Sequence, residues 1–279
     1  MHGRQKVLLY LVLQLKKREI HISKTSLNKF LFVMGKESEI SEQVRFYSFY
    51  PYLYGPFSSQ LNLDIADLQS RAFLDEKLDL KISEEETSRM VNRKTIEIVD
   101  NLLARRMGEN IVSYVYGTYP EYTSRSRLRR HPQTKKEPGI FSIGYEGHNI
   151  DSFLDLLIQN EIETVADLRH NPFSMNMVFT KSRLSGYLGK IGINYLHIPE
   201  LGIDGRYRKN LNDDEDYQKL FAFYSSEILP KQEDKVKRIV EMGKTNRVAM
   251  LCFEHDKDHC HRGVVSKELE KDSVMVKHL

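Results

Sequence analysis

Two cysteines, Cys252 and Cys260, are all that the 279 residues contain, which excludes a disulfide framework and points to reduced thiols with a chemical use. No apolar run approaches the roughly 20 residues of a membrane span. The stretch from Val7 to Leu15 is interrupted by Gln14, runs into Lys16, Lys17 and Arg18, and has no small-residue cleavage site, so no signal peptide is read. A cytoplasmic protein without membrane contact is expected. Also missing are the Gly-x-x-x-x-Gly-Lys-Ser/Thr phosphate loop, the Gly-x-Gly-x-x-Gly fingerprint, the Gly-x-Ser-x-Gly elbow and His-Glu-x-x-His. These absences weaken ATPase, dinucleotide oxidoreductase, serine hydrolase and zinc protease readings.

The rest of the composition is that of an ordinary globular protein, 40% hydrophobic and 29% charged, and the length suits two domains that each bury a core. Charge is shared unevenly: residues 1–138 carry about +6 and residues 139–279 about −3. Much of the excess lies in Ser124-Arg-Ser-Arg-Leu-Arg-Arg-His-Pro-Gln-Thr-Lys-Lys136, the most linker-like composition in the chain. The expected organisation is a mainly helical domain over 1–132, a linker over 133–138 and an α/β domain over 139–279. Arg125, Arg127, Arg129 and Arg130 are candidate nucleic-acid contacts through phosphate charge alone. The competing reading is a solvated hinge.

In the first half, helices are expected at Lys6 to Lys17, Ser26 to Met34, Leu61 to Arg71, Ser83 to Arg106 with a break, and Glu109 to Tyr116. Leu27, Phe30, Leu31 and Met34 form a core stripe at i, i+3, i+4, i+7, with an N-cap in Ser23-Lys-Thr-Ser-Leu27. Between them Phe46-Tyr-Ser-Phe-Tyr-Pro-Tyr-Leu-Tyr-Gly-Pro-Phe57 ends in a Tyr-Gly-Pro turn, and Ser58 and Ser59 open the next helix. A helix, turn and helix there could enter a nucleic-acid groove, although aromatics at this density are more often core. Through Lys29-Phe-Leu31, Tyr54-Gly55-Pro56-Phe57, Leu61, Leu68 and Tyr116-Gly-Thr-Tyr119, this half loosely resembles the Panacea-type domain of antitoxins and phage-linked proteins. The resemblance implies a recognition or neutralising role and a protein partner.

The second half alternates strands (Ile140 to Ile143, Glu163 to Leu168, Asn194 to Ile198, Arg247 to Phe253, Val274 to Lys277) with helices, which predicts a mostly parallel sheet with helices on both faces. The intervening helices are expected at Asp151 to Gln159, Lys181 to Lys190, Asp214 to Ile228, Glu233 to Met242 and Val264 to Lys271. Each of the first four strands ends in polar or glycine chemistry: Gly144-Tyr145-Glu146-Gly147, Asp167-Leu-Arg169 with Asn171-Pro172-Phe-Ser174, Pro199-Glu200-Leu-Gly202, and Cys252 to Arg262. In a parallel sheet these loops share the rim where ligands bind. From Ser142-Ile-Gly144, Asp167-Leu-Arg-His-Asn-Pro172, Glu200-Leu-Gly202, Cys252-Phe-Glu254 and Cys260-His-Arg262, the half is similar to the domain-of-unknown-function family numbered 488. It departs at Ile203, where the family pattern has a second glycine. The resemblance implies the α/β fold and supplies no reaction.

At the rim, Cys260 at a helix start beside Arg262 is expected to be an acidified nucleophile, with Glu254 or His261 moving a proton. Asp167 or Glu146 is the other candidate acid or base. Arg169 and Arg262 could clamp phosphate or carboxylate, with Ser142, Gly144, Tyr145, Glu146, Pro172, Glu200 and Gly202 lining the ligand. This predicts a hydrolase or transferase acting on a nucleotide or nucleic acid, in a phage-defence setting; its rival is a non-catalytic ligand- or toxin-binding protein. The rival keeps Asp167 with Arg169 or Arg262 as a loop-fixing ion pair and Cys252 buried. The enzymatic reading requires Asp167, Glu200 and Arg262 to meet around one pocket. No cofactor is expected. Zinc is the alternative, since Cys252, His255, His259, Cys260 and His261 supply ligands on paper, but adjacent residues rarely point at one ion.

Overall fold

Helix α1 (Gly3–Lys17) buries Val7 through Leu13 and Leu15, and a helix apolar round most of its surface has to lie inside its unit. In this computed structural model, which describes all but residues 107–108, 129–135, 209–210, 212–213 and 272, the chain forms two compact units, Met1–Pro132 and Gln133–Leu279. The linker call at 133–138 and the candidates Arg129 and Arg130 fall partly or wholly outside the described residues. Helix α2 (Lys24–Glu37) begins two residues before the expected Ser26, capped within the expected segment by the Ser23 hydroxyl accepting from the Ser26 amide at 3.0 Å, and its stripe of Leu27, Phe30, Leu31 and Met34 is buried. A short α3 (Ile40–Gln43) follows.

The aromatic segment does not form a helix before its turn. It makes an antiparallel hairpin, β1 (Tyr50–Tyr52) against β2 (Gly55–Phe57), because aromatic side chains suit a pleated ribbon and Gly55 supplies the left-handed φ of +90° that the reversal needs. A helix-turn-helix reader therefore does not exist at this place. Tyr47, Phe49 and Tyr50 are buried, as a core reading expects. Ser58 caps α4 (Ser59–Ser70). The expected long helix breaks into α5 (Glu84–Arg89) and α6 (Arg93–Arg105), the second capped by Asn92, and α7 (Ile111–Thr118) closes the unit's regular structure.

Lys29 lies in this core, 1% exposed, with its ammonium donating to the Tyr54 carbonyl. Burial pulls its pKa down to about 8. Between that value and the ordinary 10.5 the unfolded chain holds a proton that the folded chain has released, so raising the pH favours folding. Stability should therefore rise through this window, with the cost fully present below it. Urea unfolding at pH 7.5 and 10, wild type against Lys29→Met, measures the difference; equal pH slopes for the two proteins would refute it.

The second unit carries a five-stranded parallel sheet, in agreement with the α/β expectation. Its strands are β3 (Gly139–Gly144), β4 (Thr164–Asp167), β5 (Asn194–His197), β6 (Arg247–Cys252) and β7 (Val276–His278), in the order β5-β4-β6-β3-β7. Every residue of the central β6 is buried, as strands covered on both faces must be. The crossovers use α8 (Ile150–Gln159), α9 (Lys181–Lys190), α10 (Asp214–Phe223), α11 (Glu233–Thr245) and α12 (His261–Lys271). In α8 the stripe Ile150, Phe153, Leu154, Leu157 and Ile158 is buried. Past Phe223 the helix widens into a π turn, Tyr224–Ile228, where an unbroken α-helix to Ile228 was expected.

Strands β4 and β6 are neighbours, yet the chain leaves β4 toward β5 on one side and β6 toward β7 on the other. Their C-terminal ends thus part at a switch point, the place in an open parallel sheet where a crevice forms.

Candidate functional site

The crevice is a cavity of about 590 Å³, a size that takes a small organic ligand. Its walls are largely apolar: Tyr145 after β3, Phe173 and Met175 after β4, Ile203 after β5 and Phe253 after β6. Phe173 and Met175 are 66% and 95% exposed. Tyr145 is held rigid by stacking on Phe179 with ring centres 4.4 Å apart.

The polar floor comes from the end of β6 and the start of α12. Cys252 is the last residue of β6 and buried, as expected, and His261 is the first of α12. The Cys252 Sγ donates to Glu254 Oε2 at 3.1 Å and lies 3.6 Å from His261 Nδ1, and the Cys260 Sγ lies 4.0 Å from the same nitrogen. Arg208 reaches in from the segment after β5, donating to Glu254 Oε1 at 3.0 Å and to His261 Nδ1 at 3.1 Å. Burial would raise the Glu254 carboxyl, but the thiols of Cys260 and Cys252 donating to it, with the Arg208 charge beside it, bring it down to about 2. It is a carboxylate at any ordinary pH.

Cys260 departs from expectation. Burial pushes its thiol well above the ordinary range, and the neighbouring Cys252 pushes it further. The loss of solvation outweighs whatever the helix end provides, so the acidified nucleophile is not formed. Its side chain is nonetheless close to Cys252 and His261, the three ligand atoms lying within 4.8 Å of one another. The adjacent pair Cys260 and His261 therefore does converge, contrary to the objection raised against it. His255 and His259 do not join them: both are exposed, and His259 pairs with Asp256 and Asp214.

Asp167, Glu200 and Arg262 do not meet in the cavity. Asp167 is fully buried at the end of β4, bonded to Arg169 through Nε and Nη2 at 2.8 and 2.6 Å and accepting from the Tyr195 hydroxyl at 2.6 Å. Arg169 touches the cavity, but its guanidinium is spent on Asp167, the Tyr145 hydroxyl and the Phe179 carbonyl. Arg262 is 2% exposed and donates to the Ser142 hydroxyl and the carbonyls of Glu254 and His255. Glu200 is exposed and outside the lining. The phosphate clamp of Arg169 and Arg262 is replaced by two buried braces that fix the loops.

The remaining rim candidates serve the backbone. A Cβ on Gly144 would stand 1.8 Å from the Glu254 carbonyl oxygen, and one on Gly202 would stand 2.2 Å from the His170 amide nitrogen. Both glycines let neighbouring loops touch. Glu146 accepts from the His255 amide at 2.9 Å, and the Pro172 carbonyl accepts from the Lys181 amide.

Among the lining residues, Arg208 and Met175 were missed by sequence reasoning, while His170, Phe173 and Phe253 fell inside the rim segments without being given a role. Arg208 lies in the basic run Arg206-Tyr-Arg-Lys209, a charge cluster close behind Gly202 that could have drawn attention to it.

Residues 149–269 match the family model described as Domain of unknown function DUF488. The matched segment contains β4 to β6, most of α12, and the whole Cys252–Arg262 floor, so four of the five rim motifs that carried the resemblance lie within it. No curated protein and no solved structure matches the chain. The Panacea-type likeness of the first half rests on its motif residues alone. Among the described residues no helix is long and apolar enough to cross a membrane.

In the N-terminal unit, Arg125 is half-buried and burial lowers its pKa, whereas Arg127 is exposed.

Proposed function

We propose that the DUF488 segment is a hydrolase or transferase acting on a nucleotide or on an exposed nucleotide of a nucleic acid. The meeting of Asp167, Glu200 and Arg262 that the sequence reading required does not occur, so a different observation carries the proposal: aromatic walls and an ion-paired Glu254–Arg208 floor meet in a crevice at the strand switch point. Phe253 and Phe173 offer faces on which a base can stack. Arg208 is a third exposed and fork-shaped, suited to a phosphate or a developing oxyanion. Glu254, ionised throughout, acts as an acceptor that orients a water or a substrate N–H. Proton traffic falls to His170 at the mouth, whose Nε2 lies 3.6 Å from Asp204.

The N-terminal unit is assigned a recognition role, toward nucleic acid or a protein partner in phage defence, with Arg127 as its described basic contact. A second reading, ligand or toxin binding without catalysis, draws support from the burial of Asp167, Arg262 and Cys260 in structural bonds.

The 279-residue protein should be incubated with nucleoside mono- and triphosphates and short single strands, and products read by mass spectrometry. Turnover of at least one substrate is expected, falling about 10²-fold or more in Glu254→Gln. Binding without product, unchanged by Glu254→Gln, would leave the non-catalytic reading standing and remove this one.

A further inference from the structure

We infer that Cys252, Cys260 and His261 form a zinc site, with the ion's fourth position facing the cavity. A tetrahedral ion with zinc–sulfur bonds near 2.3 Å and zinc–nitrogen bonds near 2.0 Å sets its ligand atoms about 3.6 Å apart for sulfur to nitrogen and about 3.8 Å for sulfur to sulfur. The Cys252 and Cys260 sulfurs lie 3.6 and 4.0 Å from His261 Nδ1, and all three ligand atoms fall within 4.8 Å of one another. The two sulfur–nitrogen separations need shifts of only tenths of an ångström to close on an ion, and the two sulfurs need about 1 Å at most.

The imidazole is already turned for this. His261 Nε2 lies 3.3 Å from the Leu168 carbonyl oxygen, a contact that requires the proton on Nε2 and leaves Nδ1 with a lone pair, and a backbone carbonyl on the far nitrogen is the usual support of a metal-bound histidine. Arg208 caps that lone pair at 3.1 Å; an ion would take it and leave Arg208 on Glu254. The ligands stand at the end of β6 and the start of α12, rigid elements rather than a loose loop. Two soft thiolates and an imidazole select zinc over harder ions.

Binding would release one proton from each thiol to solvent, so that two thiolates neutralise the dication and His261 binds as the neutral base. Cys252 and His261 line the cavity while Cys260 lies behind them. Three protein ligands with an open fourth position are the arrangement of a catalytic rather than a structural zinc, and Glu254 stands beside that position, its Oε2 3.1 Å from the Cys252 sulfur.

The inference goes beyond the nucleotide reading and does not depend on it, because metal is measured with no substrate present. The 279-residue protein prepared under reducing conditions should retain about one zinc per chain by elemental analysis, and Cys260→Ser and His261→Gln should lose most of it. Since these variants could also unfold, the wild-type chain is stripped with a chelator, kept anaerobic and titrated with cobalt(II) chloride. A thiolate-to-cobalt charge-transfer band that saturates near one equivalent is expected. Wild-type protein that holds no zinc and gives no such band, or that holds another metal instead, overturns the site. Nucleotide turnover could fail in the assay above with the zinc intact, or survive without it, so the two proposals fail separately.

Discussion

Asp167→Ala should destabilise the second unit by about 3–5 kcal/mol, the usual result of leaving one partner of a buried ion pair without the other. Arg169 is 6% exposed and loses two hydrogen bonds from its guanidinium and one from its own amide; Tyr195 loses the acceptor of its hydroxyl. The interaction is coupled on both sides: the Asp167 charge raises the pKa of Arg169 and, after burial, that of the Tyr195 hydroxyl. For a unit of this size the loss amounts to a fall of roughly 10 °C in Tm. A second measurement separates a pair that stabilises from one that merely must not be broken. Asp167→Leu combined with Arg169→Met should recover most of the loss, since well-packed apolar side chains often replace a buried pair at little cost. Calorimetry on the three proteins checks both statements, and a single variant within 1 kcal/mol of wild type would mean that the pair does not hold the rim together.

That pair shows what a sequence of this kind reveals and what it hides. The alternation of strands and helices after residue 138 is legible because each strand is covered on both faces and reads as a short apolar run, while α8 shows an amphipathic stripe. The rim positions follow, since polar residues gather where the apolar runs stop. What periodicity leaves open is the direction of each polar side chain once the loops fold. Asp167 and Arg169, two residues apart, fold back on each other; Glu200, on a similar loop, faces solvent. An aspartate and an arginine beside a strand end read the same in the sequence whether they hold a ligand or hold each other.

The misses have physical causes of the same kind. Arg208 ends a single 3-10 turn, Gly205–Arg208, too short to show any repeat, and enters the site only because that turn, coming after β5, lies over the rim against Glu254. In the first half, Tyr50 to Phe57 alternates aromatics with two prolines, a composition that fits a hairpin as well as it fits the end of a helix; the positive φ of Gly55 decides it. The thiol of Cys260 was expected to be acidic from its place at a helix start, but its burial depends on the packing of α12 against the sheet, which no local pattern records.

Arg262→Met is the substitution that should most affect the floor of the cavity. The arginine stem is buried and methionine can fill much of its volume, so the loss falls mainly on the hydrogen bonds: Ser142 Oγ at 3.1 Å, the His255 carbonyl at 2.6 Å and the Glu254 carbonyl. Leaving buried acceptors without donors costs about 1–3 kcal/mol each, and partial access of water at the loop should hold the sum near 3–4 kcal/mol. Arg262→Lys should recover only part of this, because one ammonium cannot fork across two carbonyls as a planar guanidinium does. Glu254 is pressed from its other side by Gly144, where no Cβ fits, so the backbone that presents the Glu254 carboxylate is gripped between a glycine in β3 and an arginine in α12. Releasing that grip should loosen Glu254 before it unfolds the unit. Amide hydrogen exchange over residues 253–260 should accelerate in Arg262→Met under conditions where exchange in β4 and β6 stays at the wild-type rate; equal protection of the loop in both proteins would show that Arg262 is not what holds it.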